Sequence, residues 1–155
     1  MAFFSLKLHD VYLERPQMQF RFACKTDKAK IKHFYKQQRY SAGFKGFDKT
    51  LLVIEKDIII AAAIVSKIEQ QNHQYLLHGL LVAKQYQGMD IASNILSRLT
   101  SHFTPLFCFA ERSLQSLYLK NGGKLVDLDT LSGTLQTRFN TYHKHSRDLC
   151  IFKLS

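Results

Sequence analysis

Residues 80–99 read LLVAKQYQGMDIASNILSRL: an apolar strand end, a short Gln-Gly loop and an amphipathic helix in immediate succession. In that order the elements form an anion cradle, because unpaired N–H groups and the positive end of the helix dipole converge on the loop. The stretch therefore predicts a phosphate- or pyrophosphate-bearing, nucleotide-like cofactor. One residue works against such a ligand, the carboxylate of Asp90.

Working outward, Ala92, Ile95, Leu96, Leu99 and Phe103 recur at helical spacing, and Pro105 stops that helix. Upstream, residues 51–54, 58–68 and 75–82 are β-like apolar runs separated by Glu55-Lys56-Asp57 and by a polar turn over 69–73, which predicts a three-stranded antiparallel meander. Residues 19–24 alternate as a strand before a helix over 28–38, with Thr26-Asp27 as its cap and Ile31, Phe34 and Tyr35 as its apolar face. Residues 40–48, with Gly43 and Gly46 between aromatics, predict a loop or broken short helix that could line a substrate site.

Downstream, 106–110 reads as a short buried strand. Ser113 is placed to cap a helix bearing Leu114, Leu117 and Tyr118 that Gly122 ends. A strand over 124–127, a helix carrying Leu131, Leu135, Phe139 and Tyr142 but weakened by Gly133, and a last strand over 148–154 complete the chain. Antiparallel strands followed by strand–helix–strand–helix–strand predict an α/β (α+β) architecture: a mixed, mostly antiparallel sheet flanked by helices on both faces. The ligand is expected at the carboxyl ends of the strands.

A length of 155 residues predicts one domain, 1–155, with a substantial core, and 46% hydrophobic against 22% charged residues is an ordinary globular balance. The longest apolar run, 58–65, is too short for a membrane span, and the N-terminal residues lack a signal-peptide pattern, so a cytoplasmic protein is expected. Cys24, Cys108 and Cys150 sit far apart in β-like runs and read as buried free thiols; with no CxxC and no Cys/His cluster, neither a metal nor a disulfide is expected. A net charge of +10 favours an anionic partner, but the basic residues are spread along the chain and no RNA-recognition or helix-turn-helix signature accompanies them. A solvated basic face explains most of them.

The loop and helix resemble the GNAT superfamily of acyl-CoA-dependent N-acetyltransferases. The family loop reads Arg or Gln, two residues, Gly, one residue, Gly or Ala; here the six positions are Gln87, Gly88, Met89, Asp90, Ile91 and Ala92. The first and last match, whereas Asp90 replaces the family glycine. A second match lies in Leu117-Tyr118-Leu119-Lys120-Asn121-Gly122, with a tyrosine four residues before a glycine, and Cys108-Phe109-Ala110, Leu114, Tyr118, Arg138 and Tyr142 resemble a bacterial subgroup of the superfamily. The resemblance extends over residues 19–155.

It implies acetyl-CoA as cosubstrate, no metal, and direct attack of an acceptor's primary amine on the acetyl group. Residues 87–92 would hold the pyrophosphate, and the backbone amides of Leu81 and Val82 would serve the pantetheine arm and the developing oxyanion. Tyr118 would reprotonate the departing CoA thiolate, since a phenol is protonated at neutral pH. His78, placed by strand alternation on the same face as Leu80 and Val82, would take the amine proton. Glu111 stands where many members place an Asn that contacts pantetheine, with Ser113 or Arg112 as substitutes, and Arg138 could bind an acidic substrate group.

The residues alone also admit plainer roles: Asp90 as a helix cap, Tyr118 as an apolar helix position, His78 as a hydrogen-bonded core histidine, Arg138 as an exposed helix side chain. Two rival functions accompany them, a non-catalytic CoA-binding or regulatory module and an RNA-associated relative. The acceptor, and the choice between monomer and homodimer, are open.

Overall fold

The computed structural model describes residues 17–40, 48–69 and 73–155. The strands are β1 (Gln19–Phe22), β2 (Lys49–Glu55), β3 (Ile58–Glu69), β4 (Gln74–Val82), β5 (Leu106–Glu111), β6 (Lys124–Leu125) and β7 (Leu149–Leu154). The helices are α1 (Lys28–Gln37), α2 (Ile91–Thr100), α3 (Gln115–Lys120) and α4 (Gly133–His143). The predicted loop over 40–48 and turn over 69–73 fall largely outside the described residues.

The seven strands form one sheet in the order β1-β2-β3-β4-β5-β7-β6. Every pairing is antiparallel except β4–β5. The single parallel pair follows from its connection, because returning to the same end of the sheet requires a crossover and α2 supplies it. The meander forms as predicted, and its first hairpin closes on Lys56 and Asp57, whose φ angles of 49° and 61° are those of a two-residue turn matched to strand twist.

Helices cover both faces. On one, α2 and α3 pack Ile91, Ile95, Leu96, Leu99 and Tyr118 against Val53, Ala61, Ala63, Leu77 and Phe152. On the other, α1 lays Ile31, Phe34 and Tyr35 over Leu52, Ala62 and Ile64, while α4 lays Leu135 and Phe139 over Leu76, Phe107 and Ile151. β3 is central and covered on both sides, which is why it reads as a continuous apolar run instead of an alternating one.

Strand β4 departs from simple alternation. Ala62 pairs with Leu81 but Ile64 pairs with His78, so β4 carries one more residue than β3 across this interval. The extra residue is taken up at Gly79, with φ of +62°, a conformation that glycine reaches without strain. A Cβ there would lie 3.2 Å from the Tyr35 hydroxyl, which donates to the Gly79 carbonyl at 2.7 Å. The bulge puts Leu77, Leu80 and Val82 together on the α2/α3 face. His78 faces the other way, beside Ser66; the expected common face of His78, Leu80 and Val82 is thereby corrected, because the bulge resets the alternation between them.

Other local expectations also change. Ser113 lies in a short 3-10 turn over Arg112–Leu114 and does not cap α3. Gly133 is the first residue of α4 and not an interior weakness, and the Ser132 side chain accepts from the Leu135 N–H. Asp27 does not cap α1: its carboxylate accepts from the Cys24 N–H at 2.8 Å and takes a two-pronged contact from Arg21 at 2.7 and 2.8 Å, closing the turn between β1 and α1. Cys24 is exposed in that turn, unlike Cys108 and Cys150. Among the described residues no helix is long and apolar enough to cross a membrane, and no group of metal-ligating side chains forms.

Candidate active site

The parallel ladder between β4 and β5 is short. It joins Tyr75, Leu76 and Leu77 to Leu106, Phe107 and Cys108, and then stops where the bulge begins. Beyond it the strands part: Glu111 still pairs with Leu149 of β7, and Leu81 and Val82 still pair with β3, but β4 and β5 no longer pair with each other. A cleft opens between the two strand ends.

Two cavities enter this cleft from opposite faces. One, of about 470 Å³, lies on the α2/α3 side against Leu81, Val82, the loop containing Gln87 and Gly88, and the first turn of α2. The other, of about 330 Å³, lies on the opposite side against His78, Phe109, Glu111 and Tyr142. Both are lined by Leu80, Leu114 and Tyr118, so molecules held in the two cavities would meet there.

The loop is built as an anion cradle. Gln87 ties it to the strand by donating from Nε2 to the Val82 carbonyl at 3.1 Å. Gly88 and Asp90 both take left-handed conformations, with φ of +80° and +58°, which turns the chain sharply into α2. The helical ladder begins with the Asn94 N–H bonded to the Asp90 carbonyl, so the N–H groups of Ile91, Ala92 and Ser93 have no intrahelical acceptor.

Asp90 occupies the N-cap position without capping. Its side chain accepts nothing from those amides and is 78% exposed, with Oδ1 3.5 Å from Lys120 Nζ at the end of α3. The cap role expected of Asp90, in which its carboxylate would take the donors a phosphate needs, is therefore corrected: the left-handed backbone turns the carboxylate away from the helix. What remains is its charge, with the exposed Lys120 ammonium beside it. Lys120 lines the cavity beside the cradle and was not among the predicted site residues, since only its position two residues after Tyr118 could have marked it.

Tyr118 is 2% exposed and stacks on Phe152, ring centroids 4.9 Å apart and 17° from parallel. The Cys108 thiol donates to its hydroxyl oxygen at 3.2 Å. Burial pushes the Tyr118 phenol well above its usual 10 and the Cys108 thiol up to about 12, so both stay protonated at neutral pH. With the thiol occupying an oxygen lone pair, the phenolic proton is the group left to be donated. Cys108, whose sequence neighbourhood suggested only a buried thiol, is thus part of the Tyr118 environment.

His78 reaches the cleft from the opposite face. Its Nε2 lies 2.8 Å from Ser66 Oγ, and burial lowers its pKa below the usual 6.5, an effect that Asp48 opposes and Arg138 reinforces. The imidazole is therefore neutral at neutral pH and able to accept a proton. Ser66, twelve residues away in the chain, carries no sequence signal of this role. His78 and Tyr118 line the same smaller cavity, so the predicted pair is brought together although from different sheet faces.

Glu111 lines only that smaller cavity and is absent from the wall of the cradle side. Its predicted substitutes do not replace it there: Arg112 pairs with Asp148 at 3.5 Å in solvent, and Ser113 is exposed and borders neither cavity. Met89 is 51% exposed in the loop, and Ile91 anchors the start of α2 in the core.

No family model matches the sequence, and no curated protein matches it. Solved structures do match in shape. N-acetylglutamate synthase from Neisseria gonorrhoeae, determined with coenzyme A and N-acetyl-glutamate, superposes with a TM-score of 0.68 at 14% identity, over 92% of this chain and 36% of that one. The chain thus spans about a third of that enzyme's length. A GNAT-family acetyltransferase from Staphylococcus aureus matches with a TM-score of 0.65 at 12% identity, over 89% of this chain and 98% of that one. Arabidopsis thaliana Naa50, in complex with a bisubstrate analogue CoA-Ac-MVNAL, matches with a TM-score of 0.62 at 15% identity, over 89% and 98%. By these superpositions the chain has the fold of the GNAT N-acetyltransferases.

Proposed function

We propose that the protein transfers an acetyl group from acetyl-CoA to a primary amine, with residues 1–155 forming one catalytic domain. The observation that carries this reading is the pair of cavities meeting at Tyr118, one of them bordered by the free N–H groups at the start of α2. Acetyl-CoA supplies an activated thioester. The amides of Ile91, Ala92 and Ser93, with Lys120 nearby, would hold its pyrophosphate, and the loop of Gln87, Gly88 and Met89 would enclose it.

The open edge of β4 at Leu81 and Val82 would receive the pantetheine arm and the charge that develops on the carbonyl oxygen. His78, neutral and buried, would take the proton of the attacking amine directly or through water. Tyr118, held protonated at neutral pH, would pass its proton to the sulfur as the carbon–sulfur bond breaks, and would recover one from solvent afterwards. The balance is one amide bond made, one thioester broken, and one proton moved from nitrogen to sulfur.

The test is free-thiol release from acetyl-CoA across a panel of amines, together with the acetyl-CoA thermal shift. Tyr118→Phe should bind acetyl-CoA as the wild type does while turnover falls by about a hundredfold, the scale of general-acid contributions. Equal turnover in the variant would remove Tyr118 from the chemistry. One observation favours a second reading, a CoA-binding module without turnover: Asp90 puts an acidic charge beside the cradle and draws on Lys120. Binding with no thiol release from any amine would select it.

A further inference from the structure

The smaller cavity has a wall whose chemistry differs from the rest of the molecule. The chain carries 22 Lys and Arg residues against 12 Asp and Glu, yet among the described residues no Lys or Arg lines this cavity. Among the described residues Glu111 is its one carboxylate, and His78, His145, Ser146 and the Cys108 thiol are its other polar side chains apart from tyrosine hydroxyls. Besides Tyr118, the aromatic side chains Tyr40, Phe109 and Tyr142 share the wall with leucines. The Phe109 and Tyr142 rings lie 6.0 Å apart, tilted by 57°, and Tyr142 is 42% exposed, so a ring face remains for a ligand.

These features select against most amines. An acceptor bearing a carboxylate or phosphate would meet Glu111, and no Lys or Arg among the described residues lines the wall to offset it. Arg138 is close enough to disfavour the charging of His78, but it does not line the cavity. A polyamine would bring a second ammonium group against leucines and could satisfy only one of its charges. A single ammonium group, by contrast, is attracted both by a carboxylate and by aromatic faces, and a volume of about 330 Å³ suits a body of one ring or a short alkyl chain.

From this lining we infer that the acceptor is a small primary amine on an apolar or aromatic body, without an acidic group of its own. The inference rests on the acetyltransferase reading and narrows it. Glu111 would attract and orient the ammonium group, which would lose one proton to solvent to become the attacking amine; His78 would take the proton that the nitrogen releases as the amide forms, and Phe109 and Tyr142 would hold the apolar body.

The experiment compares matched probes, phenethylamine and hexylamine against phenylalanine, glutamate and spermidine, by thiol release with acetyl-CoA. In parallel, binding of each amine is measured by calorimetry with CoA present. Phenethylamine should exceed phenylalanine, the same body with a carboxylate added, by about fivefold in kcat/KM, the scale of one unfavourable charge contact of ~1 kcal/mol at about 4 Å beside the exposed Glu111. Glu111→Gln should raise the KM for phenethylamine several-fold and leave the KM for acetyl-CoA unchanged. Phenylalanine, glutamate or spermidine matching or exceeding phenethylamine in transfer would overturn the inference and leave the acetyltransferase reading standing. Binding of the apolar amines without transfer would support the inference and overturn the acetyltransferase reading. Neither binding nor transfer of the apolar amines would overturn the inference.

Discussion

Replacing Asp90 tests whether the cradle is weakened by charge alone. In the folded protein Asp90 adopts a left-handed backbone and offers no bond to the helix amides, so Asp90→Gly removes a carboxylate without removing a cap. Glycine relieves a left-handed conformation that costs roughly 1 kcal/mol for a residue with a Cβ, but loses a comparable amount through the freedom of the unfolded chain. The exposed pair with Lys120 contributes about 0.5 kcal/mol at most, so global stability should change by less than that.

Binding should change more. At a separation of roughly 6 Å in an exposed site with a dielectric constant of about 80, each unit of phosphate charge costs ~0.7 kcal/mol against the carboxylate. Two such charges amount to about 1.4 kcal/mol, a tenfold gain in CoA affinity for Asp90→Gly at low ionic strength, falling to about threefold at 0.15 M salt, where the Debye length is near 8 Å. Isothermal titration at both salt concentrations measures this directly. Asp90→Asn separates charge from backbone, because asparagine tolerates the left-handed conformation and carries no charge. The reasoning is refuted if both variants bind CoA as the wild type does, or if any gain is the same at both salt concentrations.

Three further outcomes follow from other parts of the structure. Since His78 works as the neutral base and burial holds its pKa below 6.5, kcat/KM should be level at neutral pH and fall as pH drops through that lowered value; His78→Gln should lower activity and abolish this acidic limb. Gly79→Ala would place a Cβ at φ of +62° and 3.2 Å from the Tyr35 hydroxyl, and urea denaturation should show a loss of about 2 kcal/mol. Asp27 is held well below the usual carboxylate range by Arg21 and the Cys24 N–H, so it stabilises the fold above the unfolded-state pKa and that contribution disappears as acid protonates it. Asp27→Asn should cost about 2 kcal/mol at pH 7, and the difference from wild type in melting temperature should shrink as the pH is taken below 4.

Most of the architecture was legible because its signals are local and redundant. The β2–β3 hairpin carries polar turn residues between β-branched runs, and α2 shows most of its core face in Ile95, Leu96 and Leu99, whereas Ile91 takes the buried place expected of Ala92 and the helix ends at Thr100, before Phe103. The site was legible only in part. Gly79 is an isolated glycine in a strand pattern, which suggests a bulge but does not say on which side of it alternation is reset. Aspartate is favoured both as a cap and in left-handed turns, so residue type alone could not say which behaviour Asp90 adopts. Ser66, Cys108 and Lys120 enter through pairings across the sheet or between helices, and such contacts leave no periodic trace in the chain.

The bulge in β4 makes the proposed chemistry depend on a count of residues as well as on their identity. Deleting Gly79 would preserve every side chain of the site, yet it would restore even alternation and send either His78 or the strand beyond it to the wrong layer of the protein. The two substrates could not then be served from opposite sides. One inserted residue thus assigns the two ends of a single strand to different compartments, and the outer half could vary with a new acceptor while the inner half continued to serve the cofactor.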